Sequence, residues 1–116
     1  MSDTTNPIII EKQDNAFIAR VQIKLLDEKD LKLLGQLVDQ ASQDAVAALV
    51  VIDLSAVQML PSLGLGALVQ MASKCRARQQ KLKLAAASPQ LRQVFSITKL
   101  DRVLELTPTV EAALEG

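Results

Sequence analysis

An unbroken apolar run, Ala47-Ala48-Leu49-Val50-Val51-Ile52, leads into Asp53-Leu54-Ser55 and has segments of helical periodicity on both sides. It is too short and too rich in β-branched residues for a surface helix, so it reads as a strand buried on both faces, as strands of parallel sheets are. A parallel strand needs a crossover connection, and the flanking segments supply one on each side. The class this imposes is α/β.

Upstream, Leu31, Leu34, Val38, Ala41 and Ala45 recur at three- and four-residue steps, with Lys32, Gln36, Asp39 and Gln43 on other faces. Asp27 is the candidate N-cap of this helix, and Glu28 and Asp30 put negative charge on its first turn, where the helix dipole favours it. Downstream, a helix follows Ser62, with Leu65, Leu68, Val69, Ala72 and Cys75 inward and Lys74, Arg76 and Arg78 near its end. Leu82, Leu84, Ala85 and Ala86 form the next strand, and Ser88-Pro89 caps a helix whose buried side is Leu91, Val94 and Phe95. A last strand, Val103 to Leu106, precedes Thr107-Pro108, read as the same cap, and a helix with Val110, Ala113 and Leu114 inward.

The N-terminal part opens with a hairpin. Ile8, Ile9 and Ile10 are followed by the turn Gln13-Asp14-Asn15-Ala16 and by an alternating strand. That strand puts Phe17, Ala19, Val21 and Ile23 on one face and Ile18, Arg20 and Gln22 on the other, the pattern of a half-buried strand. The whole is a single α/β domain over residues 7–116, a mixed sheet with an N-terminal antiparallel hairpin and helices packed on it. The polar residues 1–6 are expected to be flexible.

The chain has no histidine, which removes the Ser-His-Asp and Cys-His triads, His-based metal sites and the commonest general base. No catalytic residue, metal site or cofactor is expected, and the protein is not read as an enzyme. Thirteen basic and thirteen acidic residues cancel, so no overall field steers it to nucleic acid or to an anionic membrane. With two Phe and no Trp or Tyr, base-stacking platforms are nearly absent. A single cysteine fits a reducing cytosol, and no apolar run reaches the roughly 18 residues of a membrane span, so a cytoplasmic protein is expected.

The chemistry left is binding, and it concentrates between the central strand and the next helix. Pro61-Ser62-Leu63-Gly64-Leu65-Gly66 opens that helix with two glycines, where propensity alone disfavours them. Glycine there strips side chains from the helix start and leaves backbone N–H groups and the Ser62 hydroxyl open to a partner or a phosphate.

On these residues the chain resembles the STAS family, the domain of anti-sigma factor antagonists and of sulfate transporter tails. The family hallmark is a strand ending in Asp-Leu-Ser, a short loop, and Asp-Ser-Ser/Thr-Gly-Leu-Gly opening a helix. Ile52-Asp53-Leu54-Ser55 and Pro61-Ser62-Leu63-Gly64-Leu65-Gly66 stand in those places, and Ser88 to Phe95 and Leu100 to Val103 resemble the third helix and the last strand. The resemblance implies a bacterial transcription regulator that works by partner switching. The unmodified domain captures an anti-sigma factor that is itself a serine kinase, and phosphorylation, by position at Ser62, breaks the capture. The binding face it implies comprises Asp53, Ser55, Pro61, Ser62, Leu63, Gly64 and Leu65.

The family's acidic residue before the serine is Pro61 here, and the Ser/Thr after it is Leu63. Both changes suit a constitutive binding face, so a second reading stands: a STAS subunit of another assembly, a lipid-transport ABC system or a stress-signalling complex, without phosphorylation. A nucleotide-binding module is a third, weakened by the lack of a P-loop lysine. Several of these residues also have plain structural readings. Ser62 suits an N-cap, Asp53 a loop hydrogen bond, Gly64 and Gly66 close packing against the sheet, and Cys75 the core. Lys74, Arg76, Arg78, Lys81 and Lys83 read as a solvated helix end.

Overall fold

The computed structural model describes residues 7–43 and 48–115; the expected flexible start at 1–6, and Ala45 and Ala47, lie outside them. The hairpin forms as the sequence predicts. Asp14 takes a φ of 55°, and β1 (Ile8–Gln13) pairs antiparallel with β2 (Ala16–Val21), Ile10 opposite Ala19. Then follow α1 (Glu28–Ser42), β3 (Leu49–Asp53), α2 (Ser62–Ala77), β4 (Lys81–Ala85), α3 (Pro89–Ile97), a 3₁₀ turn at Leu100–Arg102, β5 (Glu105–Thr107) and α4 (Val110–Glu115).

The five strands lie in chain order, and β2 to β5 are mutually parallel. Right-handed crossovers between strands added in one direction all deliver their helices to the same face of a sheet. Leu31, Leu34 and Val38 of α1, Leu68, Met71 and Cys75 of α2, and Leu91 and Phe95 of α3 accordingly share one core with Ala19, Val21, Val50, Ile52, Leu82 and Leu84. Burial raises the pKa of the Cys75 thiol and keeps it in the inert form.

The opposite face is left to α4. Val110 and Ala113 cover Ile18, Val51 and Ala85, so β2 is not half-buried at Ile18, which is fully enclosed under this helix. The same helix explains why the basic run is not one solvated patch. Lys83 is only 2% exposed, and its Nζ donates to the Ala113 carbonyl at 3.1 Å, with Glu105 at 3.5 Å. Arg78 turns back to α1, pairing with Asp39 at 3.0 Å and bonding Ser42. Lys74, Arg76, Arg78 and Lys81 are exposed as expected, Arg78 while held by these bonds, and Lys83 alone of the five is buried.

Two of the caps sit where the sequence puts them. Asp27 Oδ1 accepts from the Asp30 amide at 2.9 Å while Asp30 accepts from the Asp27 amide at 3.1 Å, a reciprocal capping box. Ser88 accepts from the Leu91 amide at 3.2 Å with Pro89 at the first helical position. The third is displaced: Thr107 ends β5, and Thr109 caps α4 by accepting from the Ala112 amide at 3.0 Å. The last strand also starts later than expected, because Lys99 turns left-handed at φ 63° and the 3₁₀ turn consumes Leu100–Arg102, leaving Val103 exposed ahead of β5.

Candidate functional site

At the C-terminal end of β3 the chain must leave a buried sheet and enter α2, and it does so through a loop pinned along its length. The Leu54 amide makes a last sheet-like bond to the Ala85 carbonyl at 2.9 Å. Asp53, 7% exposed, then turns the chain: its Oδ1 accepts from the Ser55 amide at 2.9 Å, an Asx-type turn, and its Oδ2 accepts from Arg20 Nη1 at 2.9 Å. Val57, fully buried, anchors the middle of the loop in the core.

Beyond Val57 the loop is stitched to the β2–α1 connection. The Gln58 and Met59 amides both donate to the Lys24 carbonyl, at 2.7 and 3.0 Å, and the Leu26 amide donates to the Met59 carbonyl at 3.3 Å. This places Leu25 and Met59 side by side in a parallel bridge and points Leu26 into the core. Leu25 is 56% exposed, Met59 64% and Leu63, on the first turn of α2, 65%. Isolated exposed apolar side chains need no explanation, but three around one groove make a candidate interaction surface. The groove, about 360 Å³, is floored by Leu26, Leu31 and Leu60 and edged by Asp27, Glu28 and Pro61. Across Leu63, Leu31 and Glu28 it continues into a wider groove of about 500 Å³ between α1 and α2.

Ser62 is not the N-cap of α2. That position belongs to Pro61, extended at φ −67° and ψ 159°, which offers no side-chain acceptor, and Ser62 is the first helical residue. Its side chain is exposed, and the hydroxyl enters no hydrogen bond among the described residues. The first turn closes instead through the backbone, the Gly64 amide donating to the Pro61 carbonyl at 2.8 Å.

The two glycines serve different ends. A Cβ on Gly64 would stand 2.9 Å from Leu60 Cδ1 and 3.0 Å from Leu31 Cδ1, so Gly64 lets the helix start close onto its own loop and α1, not onto the sheet. A Cβ on Gly66 would meet nothing within 4 Å, so packing does not account for that glycine.

Of the binding-face residues named from the sequence, Ser55, Pro61, Ser62 and Leu63 are exposed. Asp53 and Gly64 are buried and shape the face from beneath, and Leu65 is partly buried against the core. Leu25 and Met59 were not named, although each is an apolar residue beside a polar one in a loop, at Lys24-Leu25 and Gln58-Met59. On the sheet side, Arg20 bridges Asp53 and Glu11, its Nε 3.1 Å from Glu11, and the hydrogen bond to Glu11 raises the Arg20 pKa further.

Comparison with solved structures finds this architecture elsewhere. An anti-sigma factor antagonist from Mycobacterium paratuberculosis superposes with a TM-score of 0.80 at 29% identity, over 93% of this chain and 90% of that one. An anti-sigma-factor antagonist domain protein from Planctomyces limnophilus gives 0.81 at 22% identity, over 93% and 94%. The antagonist SpoIIAA in its unphosphorylated form gives 0.77 at 17% identity, over 93% of each chain. The STAS domain model matches residues 7–113, and with the strand, loop and helix start in the places described, the chain belongs to the STAS domain family.

Proposed function

We propose that this protein is an anti-sigma factor antagonist, a cytoplasmic binding protein without chemistry of its own, that captures an anti-sigma factor through the α2 start. The observation that carries this reading is the exposed apolar group Leu25, Met59 and Leu63 gathered around the open helix start at Ser62. The likeness to the Mycobacterium paratuberculosis antagonist supports it.

In this reading the anti-sigma factor is a serine kinase and Ser62 is its target. A phosphoryl group adds about −1.5 to −2 charges at neutral pH. On the free protein the α2 dipole and the first-turn amides offset that charge by about 0.3 to 1 kcal/mol. In a closed apolar interface the same charge loses its solvation, and Asp27 and Glu28 on the groove edge add repulsion. Phosphorylation thereby ends capture while the fold stays intact. A second reading, a constitutive STAS subunit of another assembly, draws on Pro61 and Leu63, which replace the family's acidic and hydroxyl neighbours of the serine.

The test is calorimetric titration of the purified chain with the kinase-type anti-sigma factors of its own organism, followed by ATP and mass spectrometry. Binding to one of them, a phosphate on Ser62, and at least tenfold weaker binding by Ser62→Asp are expected. Binding that Ser62→Asp leaves unchanged favours the constitutive subunit, and the absence of binding to any of them overturns the antagonist reading.

A further inference from the structure

We infer that Arg20 is a positioning residue for the Ser55–Pro61 loop and acts through Asp53. The importance of that loop rests on the proposed function; the positioning itself does not.

Arg20 lies on β2, opposite Asp53 of β3 in the parallel register. Its Nη1 holds Asp53 Oδ2 at 2.9 Å, and the other oxygen, Oδ1, accepts from the Ser55 amide at 2.9 Å. The carboxylate torsion of an aspartate is broad, so a single amide bond does not fix its plane. The second bond, from Arg20, locks it, and the direction in which the chain leaves β3 is locked with it. Glu11 of β1 holds the guanidinium from the far side, its Oε1 3.1 Å from Arg20 Nε. Three charges on three adjacent strands thus form one row that ends at the first residue of the loop.

The arrangement needs arginine. It uses two different nitrogens of one rigid fork, toward Glu11 and toward Asp53, and a lysine ammonium is a point charge on a flexible stem. The row is ill suited to be a mere stability device. Its Arg20–Glu11 half is well exposed, and such pairs contribute about 0 to 1 kcal/mol. The Asp53 side chain is only 10% exposed, so losing Arg20 leaves a largely buried carboxylate unneutralised, and the change falls on the turn that the same carboxylate makes with the Ser55 amide.

Amide exchange measured by NMR on the full chain tests this without any partner. In Arg20→Met the Ser55 amide is expected to exchange on the order of tenfold faster, while the Val51 and Leu84 amides in the sheet keep their protection. Arg20→Lys should give a smaller acceleration, and it carries the same readout if Arg20→Met does not fold. In an Asp53→Ala background, Arg20→Met should add nothing, since Arg20 acts through that carboxylate. Unchanged Ser55 exchange, equal acceleration throughout β3 and β4, or additive effects of the two substitutions would each overturn the inference. Failure of the antagonist reading shows separately, as absence of anti-sigma factor binding by the wild-type chain with this exchange pattern intact.

Discussion

Leu25 and Met59 are joined by an isolated parallel bridge between two loops, and both residues are more than half exposed, at 56% and 64%. The backbone geometry that exposes them is fixed by bonds to the Lys24 and Met59 carbonyls and not by the side chains themselves. Leu25→Lys and Met59→Lys should therefore leave thermal stability within about 0.5 kcal/mol of wild type. If these residues anchor the partner, each should weaken anti-sigma factor binding by about 2 kcal/mol, the scale of an interface hot spot. Thermal denaturation and titration calorimetry read the two effects separately. Loss of stability with unchanged binding would reverse the assignment.

Gly64 and Gly66, two residues apart on α2, should respond oppositely to alanine. At Gly64 the new Cβ meets Leu60 and the buried Leu31 at 2.9 and 3.0 Å, and overpacking of this kind costs about 1 to 3 kcal/mol. That outweighs the gain of about 0.8 to 1 kcal/mol in helix propensity, so Gly64→Ala should destabilise and displace Leu60 from the groove floor. At Gly66 nothing opposes the gain, and Gly66→Ala should stabilise by up to about 1 kcal/mol. Urea unfolding of both variants checks the signs. Weaker partner binding by the more stable Gly66→Ala chain would assign Gly66 to close approach by the partner.

The contrast between what the sequence disclosed and what it hid follows the range of the interactions. The Asp27 and Ser88 caps each close within one helical turn, and both are legible in the sequence, whereas the return bond from Asp30 that completes the box is not. The order of strands and helices was legible as well, because period and β-branching are local properties. Lys83 was misread because its charge argues for solvent, while the carbonyl that stabilises it belongs to Ala113, 30 residues away. The Leu25–Met59 pair leaves no periodic trace, being set by hydrogen bonds between two loops. Thr109 was passed over for Thr107 because Thr-Pro matches the Ser88-Pro89 device, yet the β4–β5 register keeps Thr107 in the sheet opposite Ala85.

Lys83 adds one buried ammonium bond to the apolar docking of α4. The Ala113 carbonyl lies in the last turn of α4, where the helix supplies no amide, and Lys83 Nζ fills that role at 3.1 Å. Lys83→Met keeps the stem and removes the donor, leaving a buried carbonyl unsatisfied at about 1 to 3 kcal/mol. Glu105→Gln should cost less than about 1 kcal/mol, because its carboxylate is half exposed and water replaces the lost pair. Urea unfolding should rank the two in that order; equal losses would place the stabilisation in the ion pair and not in the carbonyl bond.

The start of α1 carries a pH dependence of definite sign. The Asp30 amide, donating to the Asp27 carboxylate, lowers the Asp27 pKa from its ordinary 3.8, with smaller contributions from the Asp30 side chain and Lys29. A group depressed in the folded state stabilises it above the unfolded pKa and loses that contribution as the pH falls through the folded value. Asp27→Asn keeps a capping acceptor but cannot titrate, so it serves as the reference. The melting temperature of wild type relative to Asp27→Asn should be constant from about pH 7 down to about pH 5 and then fall as the carboxylate protonates. A gap that stays constant through the acid range would mean that the Asp27 charge contributes nothing to the cap and that oxygen geometry alone holds the helix start.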